Sequence, residues 1–189
     1  MARVSEVMWA PLNGPGLEHL RLAQRDDGAA VSGMVIALAD NVPFRLRYTV
    51  FCDTGWRVLD VRLNVERQGA VGTTVLQSDG EGRWMTENGD PLHALDGCID
   101  IDLSATPFTN TLPIRRLGLE PGESAEIDAV YFRLPAAAPQ PMHQRYTCLE
   151  LGPNGGRFLY ESATYRAELP VDRDGLVLDY PASWRRVWP

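Results

Sequence analysis

Two carboxylates one residue apart, Asp100 and Asp102, are the strongest chemical signal in the chain. In an extended segment Cys98, Asp100 and Asp102 share one face and Ile99, Ile101 and Leu103 the other, so the two acidic side chains stand about 6.5 to 7 Å apart. Paired carboxylates at that spacing act as general acid and general base in inverting glycosidases. The same pattern also suits a charged sheet face whose carboxylates pair with Arg115 and Arg116. Close by, Thr106, Thr109, Asn110 and Thr111 supply hydroxyls and an amide beside those arginines, whose planar donor forks match sugar or phosphate oxygens. Equally, these polar groups satisfy buried backbone around an irregular turn. Trp56, Trp84 and Tyr146 offer broad faces with polar handles, either to a ligand or to the core.

Composition removes several classes of chemistry. All 18 basic residues are Arg, so Schiff-base formation, pyridoxal phosphate anchoring and a P-loop each lack an essential lysine. A net charge of -7 is the wrong sign for a protein held on phosphate backbones, which argues against a nucleic-acid partner. Cys52, Cys98 and Cys148 form no C-x-x-C pair, and His19, His93 and His143 are equally dispersed, so no metal centre and no other cofactor is expected. There is no G-x-S-x-G elbow, H-E-x-x-H or G-x-G-x-x-G. Neither a signal-peptide stretch nor 18 consecutive apolar residues occurs, so the expectation is a cytoplasmic protein that is not integral to a membrane, with its odd cysteines reduced.

The elements that must position these residues are mostly strands. Seventeen Gly and 14 Pro leave few intervals long enough for a helix, and the intervals alternate with period two. Phe44 to Phe51 sets Phe44, Leu46, Tyr48 and Val50 against Arg45, Arg47 and Thr49, and Arg57 to Val65 repeats the pattern across an Asp53-Thr54-Gly55 turn. Further strands are expected at Leu17 to Leu22, Val31 to Ala37, Gly72 to Ser78, Arg83 to Glu87, Cys98 to Leu103, Ile127 to Leu134, Arg145 to Leu151, Arg157 to Glu161, Thr164 to Leu169 and Leu176 to Asp179. Turn dipeptides such as Asn88-Gly89 and Asn154-Gly155 imply a mainly antiparallel meander. The break, PAAAPQP at residues 135–141, reads as an extended linker too short to divide two cores, so residues 1–189 form one domain. One segment has helical punctuation: Thr106 to cap, Pro107 to start, Gly118 to stop. Pro113 breaks the bond back to Thr109, predicting a short, kinked helix or two successive turns.

Several blocks together carry a wider resemblance: Glu18-His19, Cys52-Asp53 with Gly55-Trp56, Gly82-Arg83-Trp84, GCIDIDL at 97–103 continuing through TPFTNTLPIRRL, Arg145-Tyr146-Thr147, and DRDGLVLDYP at 172–181. The chain resembles the putative glycolipid-binding family of bacterial cytoplasmic proteins, over nearly its whole length. The resemblance implies a mostly β (α+β) fold, a spiral β-roll in which a long antiparallel meandering sheet wraps around one short helix at 106–117. It also implies binding of a glycolipid or other amphiphile in a curved-sheet cavity, without catalysis. Asn110, Arg115, Arg116, Trp56, Trp84, Tyr146, Asp100 and Asp102 are then the expected ligand-facing residues. The rivals are a hydrolase of a sugar or lipid conjugate using Asp100 and Asp102, and a protein-interaction scaffold with no small ligand.

Overall fold

A computed structural model describes residues 3–163 and 165–189. The chain is mostly β, with one short α-helix among the described residues. Strands β1 (Arg3–Pro11), β2 (Leu17–Arg25), β3 (Gly28–Ala39), β4 (Val42–Cys52), β5 (Val58–Arg67), β6 (Ala70–Ser78) and β7 (Trp84–Thr86) form an antiparallel meander. Two C-terminal strands, β13 (Asp179–Tyr180) and β14 (Trp184–Trp188), extend it on the β1 side to nine. Alternation holds through the centre: Phe44, Leu46, Tyr48 and Val50 of β4 face inward, as do Val61, Leu63 and Val65 of β5. The strand expected over Thr164 to Leu169 is found over Tyr165–Asp172; Thr164 lies outside the described residues.

The second sheet has five strands in the order β12 (Tyr165–Asp172), β11 (Gly155–Ser162), β10 (Ala138–Gly152), β9 (Ser124–Arg133), β8 (Asp100–Leu103). It departs from an all-antiparallel meander at one place, since β8 pairs parallel to β9. The cause is the helix between them: a chain that leaves β8, makes helix α1 (Thr111–Leu117) and returns must re-enter the sheet in the same direction. The expected single ladder is thus two sheets, joined at a narrow seam where Val171 bridges Val177 and the Leu178 amide donates to the Pro170 carbonyl.

The 135–141 segment is not a linker. Residues after the cis Leu134–Pro135 bond turn tightly, and Ala138 already pairs with Arg133. Pro139 and Pro141 are tolerated because this end of β10 has only β9 as a neighbour; pairing with β11 begins at Arg145.

A 3-10 turn (Phe108–Asn110) runs directly into α1, the two successive turns that Pro113 predicted. Thr106 Oγ1 accepts the Phe108 amide at 3.0 Å, and Gly118 closes the helix at φ +57°. Pro113 costs nothing in the first helical turn, where its missing N–H has no partner to lose. Phe108 and Leu112 complete the main core with Trp9, Leu46, Leu63, Ile101 and Phe132, while Ile114 packs on Tyr146, Phe158 and Leu169 of the five-stranded sheet. The space inside the nine-stranded sheet, where an acyl chain was expected, is filled by these side chains.

Candidate functional site

Asp100 and Asp102 do share one face of β8, but their surroundings differ sharply. Asp100 is 1 % exposed and both of its oxygens are held by Arg116 from the last turn of α1, with Nη2 at 2.6 Å and Nε at 3.2 Å. Burial pushes the Asp100 carboxyl up and Arg116 pulls it back. Asp102 has only neutral donors: the Gln144 amide at 2.7 Å and the Thr109 hydroxyl at 3.4 Å. Desolvation outweighs them and raises its carboxyl to about 6. Only Asp102 borders open space. An acid and base pair working on one bond needs both carboxylates at that space, and Asp100 is withdrawn from it.

The space is a pocket of about 300 Å³, where the β13 edge of one sheet meets the helix-bearing face of the other. Asp102, Asn110, Tyr131, Tyr160, Tyr165 and Tyr180 line it. Tyr160, Tyr165 and Tyr180 stand with ring centres 6.1 to 6.5 Å apart and planes mutually inclined by 56 to 90°. Below them the Tyr146 hydroxyl donates to Asn110 Oδ1 at 2.9 Å, and the Asn110 amide is fixed by the Pro107 carbonyl. Tyr48, the sixth tyrosine of the chain, reaches the site from behind, its hydroxyl 3.4 Å from the lining residue Thr106. That hydroxyl donates to Glu18 at 2.5 Å. Burial raises Glu18 to about 8, so near neutrality it is largely an uncharged acid. All six tyrosines therefore converge on one locality.

A second hollow, about 230 Å³, adjoins the first: Ser104, Ser183 and Trp184 line both. Its other walls are mostly apolar side chains, among them Pro11, Ala37, Leu38, Phe44, Ala105 and Leu134, with the amide of Asn13 at the same hollow.

The remaining expected ligand residues lie apart from this site. Arg115 covers the Trp56 ring, its Cζ 5.0 Å from the ring centre, and borders a separate groove of about 380 Å³ with Ile114 and Phe158. Trp84 is buried, its indole donating to the Cys98 carbonyl at 2.7 Å. His19, His93 and His143 are exposed, each beside a carboxylate, and the three cysteines are buried and free. Of the expected residues, the structure gathers Asp102 and Asn110 on the pocket with Tyr146 beneath, and locks Arg116 onto Asp100. Sequence reasoning offered the tyrosines only collectively, as aromatic residues able to line a concave site, and singled out neither Glu18 nor the four that line the pocket. Glu18 had a visible signal, since it runs in phase with the buried Leu20 and Leu22. The tyrosines had none, because they come from four different strands.

Among the described residues no helix is long and apolar enough to cross a membrane. The fold is similar to the crystal structure of a DUF1089 family protein from Pseudomonas aeruginosa, with a TM-score of 0.82 and 38% identity over 90% of this chain and 92% of that one. No curated protein matches the chain. The family model described as "Putative glycolipid-binding" matches residues 6–186, which takes in both sheets, the helix and the tyrosine-lined pocket, and the chain belongs to that family.

Proposed function

We propose that the protein holds a sugar-bearing amphiphile without turning it over, with the head group in the tyrosine-lined pocket and the chain along the adjoining apolar groove. The observation that carries this reading is the shared wall of Ser104, Ser183 and Trp184, which joins a hollow bearing a carboxylate, an amide and tyrosine hydroxyls to one walled mostly by aliphatic and proline side chains, as an amphiphile requires. Tyrosine faces suit the C–H faces of a sugar ring, and the Asn110 amide and tyrosine hydroxyls suit its oxygens. The family description supports the same class of ligand. Withdrawal of Asp100 into its pair with Arg116 favours holding over hydrolysis.

Titration calorimetry with n-octyl β-D-glucoside, free glucose and 1-octanol tests it. The glucoside is expected to bind saturably and the two fragments at least tenfold more weakly. Ser183→Phe, which crowds the shared wall, is expected to lower glucoside affinity at least tenfold with little change in Tm. Equal binding of octanol and the glucoside, or unchanged affinity in Ser183→Phe, would refute the reading.

A further inference from the structure

The pocket holds a carboxylate with no ion-pair partner among the described residues. Asp100 and Asp102 lie on the same face of one strand, yet α1 delivers an arginine to the first and none to the second. Among the described residues no Arg or His lines the pocket, and Asp102 makes no ion pair there. A carboxylate partly withdrawn from water with only neutral donors is costly, and a cation bound from the open side of the pocket would offset that cost. The three inclined tyrosine rings around it point the same way, because the π faces of aromatic rings attract ammonium groups. The net charge of -7 draws cations toward the molecule and repels anions.

Resting on the reading above, we infer that the head group carries an ammonium, as in an amino sugar, which pairs with Asp102 beneath Tyr160, Tyr165 and Tyr180. The site discriminates against phosphate, sulfate and carboxylate head groups, which would face Asp102 with no arginine in reach. Neutral sugars bind through the tyrosines and Asn110 alone.

The groups that face Asp102 are few. Asp100 precedes it on β8 with its charge matched by Arg116; Tyr131, Tyr146, Tyr160, Tyr165 and Tyr180 come from β9, β10, β11, β12 and β13; and Gln144 from β10 and Thr109 are uncharged. Burial and the neighbouring carboxylates raise Tyr146, Tyr160 and Tyr180, which stay neutral through the working pH range. Asp102 is thus the group whose charge changes near pH 6.

Three probes of one chain length decide: n-octyl β-D-glucosaminide, n-octyl β-D-glucoside and n-octyl β-D-glucuronide, titrated calorimetrically into the intact protein at pH 7 and pH 5. At pH 7 the glucosaminide is expected to bind at least tenfold more tightly than the glucoside, and the glucuronide most weakly. At pH 5 the advantage of the amine shrinks to less than threefold, and Asp102→Asn abolishes it at pH 7. Glucoside binding equal to or tighter than glucosaminide overturns the ammonium inference and leaves the amphiphile reading intact; failure of all three probes overturns both. The wild-type ranking decides even where the variant does not fold.

Discussion

The side chain of Arg116 is half of a buried pair, and its loss leaves Asp100 charged with no partner. Arg116→Ala is therefore expected to cost on the order of 3 to 5 kcal/mol, read from urea unfolding. Arg115→Ala removes a cation–π contact with Trp56, worth about 0.5 to 1 kcal/mol at an exposed site. Asp102→Asn is expected to leave stability unchanged or raise it at pH 7, since the substitution removes a desolvated carboxylate and keeps an acceptor for Gln144. Equal losses in Arg115→Ala and Arg116→Ala would show that the Asp100 pair carries no special weight. Period-two alternation was enough to place Asp100 and Asp102 on one face. Which of them receives the arginine depends on how α1 crosses β8, and spacing along the chain carries no information about that crossing.

Among the elements, β2, β3 and β4 are tied together by one tyrosine laid across a glycine. Gly33 on β3 pairs with Tyr48 on β4, and the ring crosses over Gly33 to reach Glu18 on β2. A Cβ at residue 33 would overlap the Tyr48 ring. Gly33→Ala is expected to destabilise by about 1 to 3 kcal/mol through overpacking, and Tyr48→Phe to leave the clash in place in the double variant, because the ring carbons nearest the new Cβ remain while the bond to Glu18 is lost. Unfolding midpoints of the two single variants and the double variant test this. Most strands were legible because half-buried antiparallel strands write their pattern into adjacent residues. β1 and β14 were not: β14 is five residues long, and the two pair with each other from opposite ends of the chain. The Pro-rich start of β10 was misread because prolines forbid an interior strand but not a one-neighbour extension.

For the whole molecule the buried acids set the pH dependence of stability. Glu18 titrates near 8 when folded and near 4.5 in its unperturbed state, so between these values the unfolded chain has lost a proton that the folded chain still holds. Stability from this group is complete below pH 4.5 and falls as pH rises toward 8, by roughly 5 kcal/mol in all at ~1.4 kcal/mol per pH unit. Asp102 acts in the same direction over a lower window, from its usual range to about 6. Glu18→Gln is expected to flatten the decline between pH 5 and pH 8 relative to wild type, as measured by urea unfolding at each pH. Identical slopes in the two proteins would show that Glu18 ionises normally.

The seam between the sheets has a consequence in time as well as in space. Val171, Val177, Pro170 and Leu178 make the join, and β13, two residues long, carries Tyr180 from that join into the pocket wall. So short a strand has little to hold it, and local opening costs least where pairing is sparse. The Leu178 amide is thus expected to exchange with deuterium orders of magnitude faster than those of Leu46 or Leu63 in the nine-stranded sheet. An amphiphile touching Tyr180 and Trp184 would fasten the join from outside, so a bound molecule would show itself as slowed exchange at residues 177–180, and the clock of the seam would report occupancy of the pocket.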